Sequence, residues 1–221
     1  MIEGNPGMPE DRYQLRKWLA QGGPAQVIVI GASTGGPDAL TELLRAMPAG
    51  SPPVVVVQHI APPLARSFAE RLARNSGMRL GEIKSGVLLQ PGTIYLSLDA
   101  QHIGVRKGIS GPIIVVDDGP PVSGHRPSVD FLFQSAAKSM GDMRIFAALL
   151  TGMGRDGAGG LKSLLDSGAF TVAQDETSCA VYGMPKEAVR AGAVRLSGSI
   201  PEIRHWMEYA AGLSMSLRKV G

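Results

Sequence analysis

Short β-branched apolar runs alternate with longer stretches of helical period along most of this chain. Val27–Ile30 precedes a helical pattern over Asp38–Met47, and Val54–Gln58 precedes one over Leu64–Arg74. Arg144–Leu150 is followed by Gly157–Ser167, and Ala169–Ala173 by Pro185–Ala191. Strands that are apolar throughout, each followed by a helix, predict a parallel sheet covered on both faces. The expected architecture is a doubly wound, mostly parallel α/β sheet, a Rossmann-like three-layer sandwich. Thr93–Asp117 reads differently. Its runs Ile94–Leu96, His102–Arg106 and Ile113–Val116, with a Gly-Ile-Ser-Gly-Pro turn between the last two, predict antiparallel strands inserted at a sheet edge. A final helix is expected over Pro201–Ala211. Residues 1–25, with one helical patch at Asp11–Ala20 among Gly and Pro, read as a flexible arm or linker, residues 26–211 as the folded domain, and residues 212–221 as a tail.

Composition narrows the function classes. The chain has 221 residues, 44% of them hydrophobic, enough to bury a core without metals or disulfides. Glycine (29) and proline (16) together make up about a fifth of it, which implies many tight turns. The net charge is +3, and the basic residues are scattered rather than blocked, so nucleic acid is not an expected partner. Cys179 is the only cysteine, and His59, His102, His125 and His205 stand too far apart for a metal motif, so neither a disulfide framework nor a structural metal is expected. No apolar run approaches the roughly 20 residues needed to span a bilayer, and no signal peptide is evident; the reading is a soluble, cytoplasmic protein without membrane insertion. With no sustained heptad, a monomer is expected.

In an open parallel sheet, ligands gather outside the carboxyl ends of the strands. Gly31-Ala32-Ser33-Thr34-Gly35-Gly36 follows the first strand, Gln58-His59-Ile60 the second, and Thr151-Gly152-Met153-Gly154-Arg155-Asp156-Gly157 the strand at 145–150. A serine, a histidine and an aspartate thus lie just past three strand ends. They are the residue types of a hydroxyl nucleophile, a general base and an acid that orients the base.

Each has a blander reading. Ser33 sits in Gly-x-Ser-x-Gly, but Ser33 or Thr34 could cap the following helix, and the glycine loop could cradle a phosphate. His59 could be an ordinary buried histidine, and Asp156 could cap the helix beginning at Gly157. The coincidence at three strand ends favours the chemical reading over the sum of these alternatives. His125-Arg126-Pro127-Ser128-Val129-Asp130 is expected to wall the cleft, with Asp130 outward-facing on a helix begun by Pro127. Cys179, in apolar company, reads as a core thiol. Tyr182-Gly183-Met184-Pro185 reads as a tight turn into a helix that could border the same crevice.

Six segments carry a resemblance: Ile30–Gly36, Gln58-His59, Asp118–Val122, His125–Asp130, Thr151–Ala158 and Tyr182–Pro185. Over about Gln26 to Arg195, the chain resembles the catalytic domain of the CheB family of bacterial chemotaxis methylesterases. The resemblance implies a serine hydrolase without cofactor that demethylates γ-glutamyl methyl esters on chemoreceptor cytoplasmic helices and deamidates glutamines there. It implies Ser33 as nucleophile, His59 as base and Asp156 as its orienting acid; oxyanion donors are expected at Thr34, Met153 and Gly154. Well-known members carry an N-terminal phosphorylatable receiver domain, for which the residues before the first predicted strand are too few. A naturally short member and an excised catalytic half are both compatible with that. Two rivals remain at this stage. A non-catalytic scaffold of the same fold is opposed by the intact trio, and a dinucleotide-binding domain would need an acid where Gln58-His59 stands.

Overall fold

The computed structural model describes residues 8–139 and 143–213. Seven parallel strands form one sheet in the order β3 (Arg79–Leu80), β4 (Thr93–Leu96), β2 (Val54–Gln58), β1 (Val27–Ala32), β7 (Ile145–Leu149), β8 (Phe170–Gln174), β9 (Leu196–Gly198). β5 (His102–Lys107) and β6 (Pro112–Asp117) pair antiparallel as a separate hairpin. The central strands β1, β2, β7 and β8 are buried at every position. Helices cover both faces, as the expected three-layer α/β sandwich requires.

Because successive side chains of a strand point to opposite faces, the central strands feed two cores. Ile28, Ile30, Val54, Val56, Phe146 and Ala148 enter one, packed by α2 (Gly36–Leu43), α3 (Pro62–Ser76) and α7 (Ile200–Ala210). Val27, Val29, Val55, Val57, Ile145 and Ala147 enter the other, packed by α4 (Val129–Lys138), α5 (Ala158–Asp166), α6 (Met184–Arg190) and the hairpin. The chain winds outward from β1 on one side and returns on the other, so the strand order reverses between β1 and β7. That reversal opens the crevice at their carboxyl ends.

Two expectations about organisation are corrected. Ile94–Leu96 belongs to β4, which runs parallel between β2 and β3 rather than joining the hairpin. Its four residues Thr93-Ile94-Tyr95-Leu96 are all buried, so they need cover on both faces, which a hairpin at an edge would not supply. The helical patch in the expected arm is α1 (Glu10–Ala20), and it is docked: Leu15 and Trp18 lie in the first core. Trp18 Nε1 donates to Gly168 O at 2.8 Å, the Arg144 guanidinium lies 3.7 Å over the indole, and Trp206 Nε1 donates to Asp11 Oδ2 at 3.0 Å. Residues 1–7 of the expected arm and 214–221 of the expected tail lie outside the described residues.

Candidate active site

Registry between β1 and β2 brings the first two candidates together. Ala32 pairs with Gln58, and the His59 amide extends the ladder by donating to Ala32 O at 3.0 Å, so Ser33 and His59 leave adjacent strands side by side. Gln58 then ties the two exits, its Nε2 donating to Ser33 O at 2.8 Å and to His59 O at 3.0 Å. On the other flank, the Ser33 amide donates to Thr151 O at 3.0 Å, and Thr151 Oγ1 donates to Thr34 O at 2.9 Å. The Ser33 loop is therefore clamped from the ends of β2 and β7 at once.

Neither Ser33 nor Thr34 caps α2. Gly35 is its N-cap at φ +80°, a left-handed conformation that turns the chain sharply enough to leave Ser33 outside the helix. Gly152 approaches from the β7 loop so closely that a Cβ there would lie 2.6 Å from Ser33 Cβ.

The third candidate arrives from the same loop. Asp156 is fully buried, and its carboxylate accepts four hydrogen bonds. Oδ2 takes His59 Nε2 at 2.9 Å and the Val129 amide at 2.8 Å; Oδ1 takes Ser128 Oγ at 2.8 Å and the Asp130 amide at 2.9 Å. Two of these donors are free amides of the first turn of α4, where the helix dipole also favours an anion. Burial pushes the Asp156 carboxyl up, but the bonds from His59, Asp130, Val129 and Ser128 outweigh it and hold the group below its ordinary value. An ionised carboxylate only accepts, so His59 carries its proton on Nε2 and keeps a lone pair on Nδ1. Nδ1 is buried and has no hydrogen-bond partner among the described residues, so it is the ring nitrogen left with an uncommitted lone pair.

One alternative reading falls away and one site expectation is corrected. Asp156 does not cap α5, whose N-cap is Gly157 without a side-chain bond; it accepts instead from the first-turn amides of α4. Asp130 is not outward-facing and α4 does not begin at Pro127. Ser128 is the N-cap, and Asp130 is buried with Oδ1 accepting from the Gly160 amide at 2.6 Å and Oδ2 from Ser123 Oγ at 2.5 Å. An acid in the first turn can fold back onto the neighbouring helix when that helix offers a free amide, and α5 packs there.

His125 and Pro127 do wall the cleft, lining with His59, Ile60, Ala61 and Arg126 a cavity of about 280 Å³. The expected oxyanion positions Thr34, Met153 and Gly154 are exposed in the loops after β1 and β7. Among the described residues the Thr34, Met153 and Gly154 amides donate to no other group, whereas the Ser33 amide is engaged. Met153 is 68% exposed there. Val181–Met184 borders the same loop, since the Gly183 and Met184 amides both donate to Gly152 O. Cys179 is half-buried; burial above all, with the charges of Asp175 and Glu176, pushes its thiol up to about 11 against a hydrogen bond from Thr151, so it is not a thiolate at neutral pH. Among the described residues no group of three His, Cys, Asp or Glu side chains could hold a metal ion, and no helix is long and apolar enough to cross a membrane.

Sequence reasoning named Ser128, Gln58, Thr151 and His125 only within their segments and did not foresee the contacts by which they hold Asp156, the Ser33 loop and the His59 ring. Ser128 carried a signal, a serine before an apolar helical run, that was obscured by the proline preceding it.

A family model described as CheB methylesterase matches residues 28–207. A protein-glutamate methylesterase/protein-glutamine glutaminase of Anaeromyxobacter dehalogenans is 45% identical over 192 residues, covering 87% of this chain and 53% of the relative. A protein of the same description from Salmonella typhi is 44% identical over 169 residues, 76% of this chain and 48% of the relative. The chain thus spans about half the length of the curated relatives it matches. The crystal structure of the Thermotoga maritima CheB methylesterase catalytic domain aligns with a TM-score of 0.78 at 31% identity, over 84% of this chain and 98% of that one.

Proposed function

The chain belongs to the CheB methylesterase family, and from that premise we propose that it is a serine hydrolase acting on γ-glutamyl methyl esters of chemoreceptor cytoplasmic helices. The observation that carries this reading is the His59 Nε2–Asp156 bond at the strand exit next to that of Ser33, a bond that leaves His59 Nδ1 uncommitted. Ser33 Oγ attacks the ester carbonyl as His59 Nδ1 takes its proton. The tetrahedral oxyanion is met by the unengaged amides of Thr34 and of Met153 or Gly154. His59 returns the proton to the departing methoxide, so methanol leaves, and a water activated by the same nitrogen then cleaves the acyl-serine to free the receptor glutamate.

Asp156 holds the Nε2–H tautomer throughout and offsets the charge of the transient imidazolium. Glutamine side chains enter the same acyl chemistry with ammonia as leaving group, as the double name of the relatives records for them. No step requires a cofactor.

The test is methanol release from a methylated chemoreceptor cytoplasmic fragment, with parent and Ser33→Ala compared at equal concentration and matched circular dichroism. The expected result is release by the parent and a loss of about 10⁴–10⁶-fold in the variant. Equal release by both would remove Ser33 from the mechanism, and release by neither would favour a binding module.

A further inference from the structure

We infer that His125 is a positioning residue for this chemistry: its imidazole lies flat on that of His59, ring centroids 4.0 Å apart and planes 11° from parallel, and holds the plane in which His59 reaches from Asp156 toward Ser33. The inference rests on the esterase reading above.

The need for such a contact follows from how His59 is held. Its ring has a single hydrogen bond, at Nε2, and none at Nδ1. The torsion that turns an imidazole about its Cβ–Cγ bond is broad, so one bond at the far edge leaves the ring free to tilt. A parallel ring laid against one face removes that tilt, and it does so without competing for either nitrogen.

His125 is itself held more tightly than a loop wall requires. Val122 and His125 exchange two backbone hydrogen bonds of 3.0 Å each, closing a two-residue turn through Ser123 and Gly124. Both central residues have positive φ, +51° and +82°, the signature of a type I′ turn. That conformation is unfavourable for Ser123, which has a side chain. It is tied down by Ser123 Oγ donating to the buried carboxylate of Asp130 at 2.5 Å. Three residues past His125, Ser128 Oγ donates to Asp156. One short segment therefore sets both the face of His59, through His125, and the acceptor at its edge, through Ser128.

The electrostatics agree with the geometry. Burial first, and then the charge of His59, lower His125 below its ordinary value, against the opposing pull of Asp156. The stacked ring is thus kept neutral at neutral pH. A neutral ring face favours the imidazolium that His59 becomes when it takes the Ser33 proton, whereas a second cation would oppose it.

The experiment compares parent, His125→Ala and His125→Phe in turnover of the methylated receptor fragment, with urea midpoints taken for each. Labelling of Ser33 by a fluorophosphonate in the parent reports the nucleophile independently. The alanine variant is expected to lose about 10- to 100-fold in kcat, the scale of a misplaced catalytic group, with KM within about twofold. Phenylalanine, which restores a flat ring without a titrating nitrogen, is expected to recover most of that loss. Parent-like kcat in His125→Ala overturns the inference, as does an equal kcat loss in both variants, which would mean that a nitrogen of His125 is what matters. A rise in KM alone would make His125 a substrate contact and also overturn it. If the parent itself is not labelled at Ser33, the esterase reading fails and takes this inference with it; labelled parent with unaffected His125→Ala sinks only the latter.

Discussion

His59 Nε2 donates to Asp156 Oδ2 at 2.9 Å, and the same oxygen accepts the Val129 amide from the first turn of α4 at 2.8 Å. The residue proposed to orient the base thereby also accepts from the first-turn amides of α4. The proposed catalytic geometry and the start of α4 thus share one carboxylate.

Asp156→Asn tests that sharing through the tautomer. If the asparagine oxygen accepts from Ser128 and Asp130, its amide faces the Val129 and His59 N–H groups, donor against donor. His59 then relieves the conflict by moving its proton to Nδ1, where it can no longer take one from Ser33. A loss of about 10³–10⁴-fold in kcat is expected, with nitrogen-15 shifts of His59 showing the exchanged tautomer. Full activity with Nε2–H retained would refute the assignment.

The same substitution predicts a pH dependence of stability. Asp156 is depressed in the folded chain, so its contribution is complete above the ordinary carboxyl value near pH ~4 and is lost as pH falls through the lower folded value. The parent should exceed Asp156→Asn in urea midpoint at pH 6, and the gap should narrow below about pH 4, because only the parent titrates at this position. A gap that stays constant down to pH 2 would mean that the bonds to Asp156 do not discriminate charge.

Trp18→Ala separates a docked helix from an arm. The indole is 2% exposed, meets Phe170 edge-on at 5.7 Å, lies beneath the Arg144 guanidinium and donates to Gly168 O. Removing it should destabilise the fold by about 3–5 kcal/mol in urea denaturation, within the usual range for a buried aromatic. Ester turnover at 25 °C by the folded variant should be unchanged, since no residue of α1 lines the cavity at His59 and His125. An unaltered midpoint would return residues 10–20 to the status of an arm.

The parts of this protein that could be read from sequence are those written in local punctuation. Val27–Ile30 followed by a glycine turn marks a strand, its end and the start of a helix within ten residues, so Ser33 could be placed at a crevice before any contact was known. His59 and Asp156 yielded to the same logic. What Asp156 touches did not, because its donors Ser128, Val129 and Asp130 come from a helix reached through the hairpin, 26 to 28 residues away in sequence. The His125 stack was hidden for the same reason. α1 was misjudged on different grounds: it is mostly polar, buries only Leu15 and Trp18, and its Gly- and Pro-rich flanks mimic a linker. β4 was misjudged because the three apolar residues Ile94–Leu96 carry no sign of which partner they will take.

Gly152→Ala probes the approach of the β7 loop to Ser33, the proposed nucleophile. The added Cβ would lie 2.4 Å from Met184 Sδ and 2.6 Å from Ser33 Cβ, both closer than such atoms come. The thioether is the end of a flexible side chain and can swing away. Ser33 Cβ cannot, since its backbone is bonded to Thr151 O and held by Gln58. The strain should therefore fall on the nucleophile, moving it by several tenths of an ångström. A destabilisation of about 1–3 kcal/mol and a fall in kcat of roughly 10- to 100-fold are expected, read by urea denaturation and by ester turnover. Adding Met184→Ala to the same chain removes the flexible partner only. If that second change restores turnover, the clash was with the thioether; if it leaves turnover low, the Cβ acts on Ser33 itself, as the clamped backbone requires.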